Sequence, residues 1–153
     1  MKKLLIITIL LLSIKSFSQT GFNHLTLKGG LTLDNARNYE LGYEMNKKYF
    51  NNFSLFFSVY EKDLDLDKLY NFTFGLYYEP SLKASKNSFV NLKFGSSFGT
   101  NETKFIFDII VGLEYNYAIT ENLKLTIYQK NNNMFNADLG FRHALLFGIK
   151  YRL

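Results

Sequence analysis

The 153-residue chain predicts an all-β fold, an eight-stranded antiparallel transmembrane β-barrel, from three observations. Apolar and polar residues alternate with period two over most of its length, the pattern of strands with unlike faces. Aromatic residues are abundant, 16 Phe and 11 Tyr, whereas proline occurs once and cysteine and tryptophan are absent. A short apolar leader opens the chain, and no later apolar run is long enough for a transmembrane helix. The length suits one domain. The lack of cysteine excludes a disulfide scaffold, a thiolate metal site and a cysteine nucleophile. A hydrophobic content of 47% excludes a disordered or collagen-like chain.

Residues 1–18 read as a secretory signal peptide. Met1-Lys2-Lys3 is a positive n-region, Leu4 to Ile14 an apolar core, and Ser16-Phe17-Ser18 a small-x-small cleavage site that makes Gln19 the new N-terminus. No cysteine is present to carry a lipid, which excludes a lipoprotein. Removing Lys2, Lys3 and Lys15 lowers the formal charge from +5 to +2. The remaining acids and bases are interspersed, so no basic patch for nucleic acid is left. Residues 19–153 then form the barrel domain.

Strands are expected near 24–33, 38–45, 53–60, 69–79, 89–98, 105–117, 123–130 and 138–153. The first carries His24, Lys28 and Gly30 on its polar face, and the second Glu40, Gly42 and Glu44. The third follows the aromatic group Tyr49-Phe50-Phe53. In the fourth, Tyr70, Phe72, Phe74, Leu76 and Tyr78 alternate with Asn71, Thr73, Gly75, Tyr77 and Glu79. Lys93 and Gly95 mark the polar face of the fifth. The sixth sets Phe105, Phe107, Ile109, Val111, Leu113, Tyr115 and Tyr117 against Ile106, Asp108, Ile110, Gly112, Glu114 and Asn116. The seventh bears Lys124 and Lys130. The eighth places Leu139, Phe141, His143, Leu145, Phe147, Ile149, Tyr151 and Leu153 opposite Asp138, Arg142, Gly148, Lys150 and Arg152. The connectors hold turn residues: Asp34-Asn35, Asn46 to Lys48, the acidic 61–68, Pro80 to Asn87, 99–104, Thr120 to Asn122 and Asn131 to Asn136.

Side-chain size decides which face points out. A soluble barrel such as a lipocalin keeps its apolar face inside, and a membrane barrel inverts this. Here the bulky groups share the apolar face and most strand glycines share the charged one. A narrow interior takes small residues, so the bulky face belongs outside. Aromatics near strand ends, as at Tyr70 and Tyr78 or Tyr115 and Tyr117, sit where outer-membrane barrels carry interfacial girdles. An even strand number places both termini on the periplasmic side.

The candidate site is a network of lumen charges. Lys93 on the fifth strand, Asp108 and Glu114 on the sixth, Lys124 on the seventh and Arg142 on the eighth alternate in sign, and pairing would offset their desolvation and plug the interior. Asp63, Asp65 and Asp67 begin like a calcium loop, but Lys68 and Phe74 occupy the positions that need Gly and Glu. His143 shares the apolar face with position 145, which is Leu rather than the Ser that outer-membrane acyl hydrolases use. No catalytic role, cofactor, metal or small-molecule substrate is therefore expected.

The order of segments resembles the conjugative-transposon protein TraO family of Gram-negative bacteria. The matching stretches are the leader ending in Gln19, Leu27-Lys28-Gly29-Gly30, Tyr39 to Phe57 with Glu61-Lys62-Asp63, and Tyr70 to Tyr78. Gly112-Leu113-Glu114-Tyr115, Ile119 to Leu125 and Phe147-Gly148-Ile149-Lys150-Tyr151 complete it. The resemblance implies an outer-membrane structural component of a conjugal DNA-transfer apparatus, with other conjugation-machinery proteins as partners and no direct contact with nucleic acid. The alternatives are a general small outer-membrane barrel, concerned with adhesion or envelope stability, and a secreted lipocalin-like carrier.

Overall fold

A chain whose two faces differ this strongly needs a sheet with two environments, and closing that sheet removes its unpaired edges. The computed structural model describes residues 22–46, 51–63, 68–101, 104–136 and 140–153. The expected signal peptide and Gln19, Tyr49, Phe50, Asp65, Asp67, Asp138 and Leu139 lie outside the described residues. The strands are β1 (Asn23–Thr32), β2 (Arg37–Asn46), β3 (Asn51–Asp63) and β4 (Lys68–Ala84). They continue as β5 (Ser88–Thr100), β6 (Phe105–Ala118), β7 (Leu123–Phe135) and β8 (Phe141–Arg152). Each pairs antiparallel with the next, and β8 closes onto β1.

Register fixes the tilt. From Asn23, partners run through Met45, Phe53, Tyr78, Phe94, Val111, Asn131 and His143. The circuit returns at Leu33, one residue past the end of β1, whose N–H donates to the His143 carbonyl. One turn round the wall therefore climbs from residue 23 to residue 33. That stagger on eight strands imposes a tilt of about 40°. Each residue then rises roughly 2.5 Å along the axis, so a ten-residue strand crosses an apolar layer of about 25 Å.

Three turn assignments give way to strand. Glu61 to Asp63, expected in the acidic connector, extend β3 by pairing with Tyr70, Leu69 and Lys68 of β4. Pro80 lies inside β4, opposite Asn51, the first residue of β3. That ladder runs out there, so the missing N–H costs little, and the register with β5 shifts between Ser81 and Lys83. Asn131 to Asn133 continue β7 instead of opening a loop, because each pairs with both β6 and β8. The turns that remain use Asn as expected: Asn35 and Asn136 have φ of 60° and 63°, a region that asparagine tolerates.

The wall is inverted relative to a soluble barrel. Leu27 is 57% exposed and its neighbour Lys28 only 2%. The same contrast separates Leu41 from Glu40, Leu113 from Glu114 and Ile149 from Lys150. Size sorting is less complete than the sequence suggests. Phe56, Tyr77, Ile110, Tyr128, Ala144 and Leu146 form a buried cluster inside the barrel, and Tyr60, Ile106 and Met134 form a second one. Phe56 stacks on Tyr77 at 4.0 Å between ring centroids. Glycine supplies the room. A Cβ on Gly75 would stand 2.7 Å from Phe56, on Gly95 2.5 Å from Tyr77, and on Gly112 2.6 Å from Tyr128. The inward glycines and the inward rings are thus halves of one packing arrangement.

Candidate functional site

Alternation turns Lys28 (β1), Glu40 and Glu44 (β2), Glu79 (β4), Lys93 (β5), Glu114 (β6), Lys130 (β7) and Lys150 (β8) into the lumen, all buried. The stagger brings them to one level. Four ammonium groups meet four carboxylates there, and the charges cancel. The Lys28 Nζ lies 2.9 Å from Glu40 and 3.0 Å from Glu114. The Lys93 Nζ lies 2.9 Å from Glu79 and 3.0 Å from Glu114. Lys130 meets Glu40 at 3.0 Å, and Lys150 pairs with Glu44 and Glu114 and lies 3.8 Å from Glu79. Each ammonium except that of Lys130 therefore bridges two or more carboxylates, and each carboxylate has at least one cation.

Neutral groups complete the lattice. Tyr77 donates its hydroxyl to Glu40 at 2.9 Å, and Ser54 donates to Glu79. The ammonium of Lys93 stands 4.6 Å from the Tyr77 ring centroid and 4.9 Å from that of Tyr128, so the electron-rich ring faces also stabilise its positive charge. Charges taken out of water are tolerated when they are paired and hydrogen-bonded. Of the lattice carboxylate oxygens Glu79 Oε2 alone lacks a hydrogen bond, with Lys150 3.8 Å away. Glu44, Glu79 and Glu114 offer oxygens within 4.8 Å of one another, the spacing of a metal cage. The Lys150 ammonium serves as the cation of that trio.

Of the five residues singled out in the sequence, the structure brings Lys93 and Glu114 together in the lattice. Asp108 stands in a separate layer, accepting from Ser97 at 3.3 Å and from Asn132 at 3.0 Å. Arg142 lies in that layer too, 5.0 Å from the Tyr60 ring centroid, and the Asn71 amide, turned so that its oxygen faces the guanidinium, accepts from it at 3.0 and 3.1 Å. Asp108 Oδ1, Asn132 Oδ1 and Arg142 Nε are buried without a hydrogen-bond partner in the protein, so this layer is less completely paired than the lattice. Lys124 is near the mouth where β1 begins and β8 ends, 5.2 Å from the Phe89 ring centroid. The six lattice residues outside the original five (Lys28, Glu40, Glu44, Glu79, Lys130 and Lys150) share the polar face with them. Alternation gives the face, but only the inter-strand stagger gives the level.

The remaining candidates have structural settings. Asp63 pairs with Arg37 at 3.3 Å and with Lys68 at 3.6 Å at the far rim. His24 is buried 3.7 Å from Glu44. His143 lies on the outer wall, hydrogen-bonded to Asn131, with its ring centroid 4.5 Å from that of Phe141.

Charged inside, apolar outside and closed by eight staggered strands, the chain is a transmembrane β-barrel of the outer-membrane type. No family model and no curated protein matches it. Solved structures do. The outer-membrane protein Ail of Yersinia pestis superposes with a TM-score of 0.61 at 10% identity, over 87% of this chain and 99% of that one. Neisserial surface protein A gives a TM-score of 0.60 at 9% identity, over 86% and 95%. The outer-membrane enzyme PagL gives 0.54 at 13% identity, over 82% and 97%. At these identities the likeness is one of fold.

Proposed function

We propose that this protein resides in the outer membrane of a Gram-negative bacterium, exported by residues 1–18, and works there as a sealed structural barrel rather than as a pore or an enzyme. The inverted wall carries this reading: bulky apolar side chains face outward on every strand while the lysines and glutamates close the lumen. Adhesion or envelope stability is the role that this architecture supports best. The neighbour Ail is an attachment invasion locus protein, and such a role needs only a stable wall and presented rims.

A sealed lumen also argues against a carrier, since the space where a lipocalin would hold an apolar ligand is filled by ion pairs and rings. Folding into lipid vesicles, with gel mobility that changes on heating, tests the membrane reading. A chain that stays soluble without detergent and binds an apolar ligand overturns it. Within the membrane class, the segment resemblance to the TraO family supports the narrower role in conjugal transfer. Deletion of the gene with a mating assay separates the two: lost transfer with an intact envelope selects conjugation, and unchanged transfer selects the envelope role.

A further inference from the structure

Among the described residues the outer wall is mainly apolar: Ser96 and Thr100 stand singly on β5, charges such as Arg37 and Lys68 lie at the rim, and one continuous polar stripe runs along β7 and β8. On β7, Gln129, Asn131 and Asn133 point outward, and His143 joins them from β8. The Gln129 amide donates to the Asn131 Oδ1 at 2.9 Å, and the His143 Nδ1 hydrogen-bonds to the same oxygen. Leu113, Leu145, Val111 and Ile109 flank the stripe, all at least 41% exposed. Gln129 sits in chain between Tyr128 and Lys130, both part of the lumen lattice, so the stripe begins at mid-wall and rises towards the far rim.

Polar side chains turned to hydrocarbon at that depth are costly, and membrane proteins use them to hold neighbouring segments together. Two copies in one membrane share the same orientation, so a two-fold axis relating them must run along the membrane normal. Because the strands are tilted, the two stripes cross at that axis, and the rung nearest it meets the identical rung at the same depth. An amide is the side chain suited to that encounter, because it carries both a donor and an acceptor and can pair with itself. Like charges in that place would repel. After the bonds within the stripe, the Gln129 carbonyl and the Asn131 amino group still have capacity to face a partner.

We infer that the Gln129–Asn131–Asn133–His143 stripe is a lateral interface through which a second copy of this chain docks in the membrane. The inference rests on the membrane reading above. The chain has no cysteine, so single-cysteine variants report one position each. Gln129→Cys and, on β3 across the barrel, the exposed Phe57→Cys are reconstituted in phosphatidylcholine vesicles and oxidised. Heat-modifiable mobility scores insertion independently of association. Gln129→Cys is expected to give a band of twice the monomer mass in at least a fivefold greater fraction than Phe57→Cys. In a cysteine-free background, Gln129→Leu with Asn131→Leu is expected to shift single-molecule photobleaching counts in the same vesicles from two steps to one. Equal cross-linking at both positions, a monomeric parent protein in a folded state, or unchanged counts in the leucine variant each overturn the interface. Cross-linking in native membranes only to a protein of another mass also overturns it, in favour of a different partner.

Discussion

Glu114 shows how much a single inward residue carries. It accepts from Lys93 and pairs with Lys28 and Lys150, so its neutralisation leaves three ammonium groups sharing the remaining carboxylates. Removing one partner of a buried ion pair costs about 3–5 kcal/mol. Glu114→Gln is expected to lower stability by that amount in urea unfolding from lipid vesicles. Lys68→Ala at the exposed rim, which breaks solvent-screened pairs with Glu61 and Asp63, should leave it close to unchanged. A similar contrast holds for glycine. Gly95→Ala sets a methyl group 2.4 Å from the Leu76 carbonyl oxygen and 2.5 Å from the Tyr77 ring, an overpacking that costs about 1–3 kcal/mol. Gly29→Ala on the outer wall meets only the Tyr39 ring, at 3.4 Å, and should be close to neutral in the same assay.

At the scale of the strand, β6 displays the whole design in one segment: its buried and exposed residues alternate without interruption from Phe105 to Tyr117. Val111→Lys places a charge on the outer face in the middle of that strand, which costs about 2–4 kcal/mol near a bilayer midplane. Vesicle-folding yield and urea midpoint should both fall, whereas a rim substitution on the same face should have a smaller effect. Strands of this kind are legible in sequence because alternation is a local property, and each inward charge of β6 is visible from its immediate neighbours. Pro80 and the Asn131–Asn133 run were misleading for the same reason. Their local turn preference is real, but ladders with partners distant in sequence override it. The lattice lay further out of reach. Lys150 and Glu44 are 106 residues apart, and nothing near either position encodes the stagger that brings them together.

For the molecule as a whole, a lumen filled by paired charges and stacked rings predicts an electrically silent barrel. Purified protein inserted into planar lipid bilayers should give no sustained conductance, and a steady ion current through the parent protein would reject the sealed reading. Closure has a further consequence for assembly. The lattice draws a charged group from β1, β2, β4, β5, β6, β7 and β8, and β3 contributes Ser54 to Glu79. A nascent sheet of seven strands would hold Glu44 without Lys150 and Glu114 short of one of its cations. The final strand thus works as a clasp: it fastens the last quarter of the chain to the first, and the earlier strands remain electrostatically unfinished until it arrives. Zipping up should be all-or-none, with the closing ammonium of Lys150 as the step that commits the barrel to its finished form.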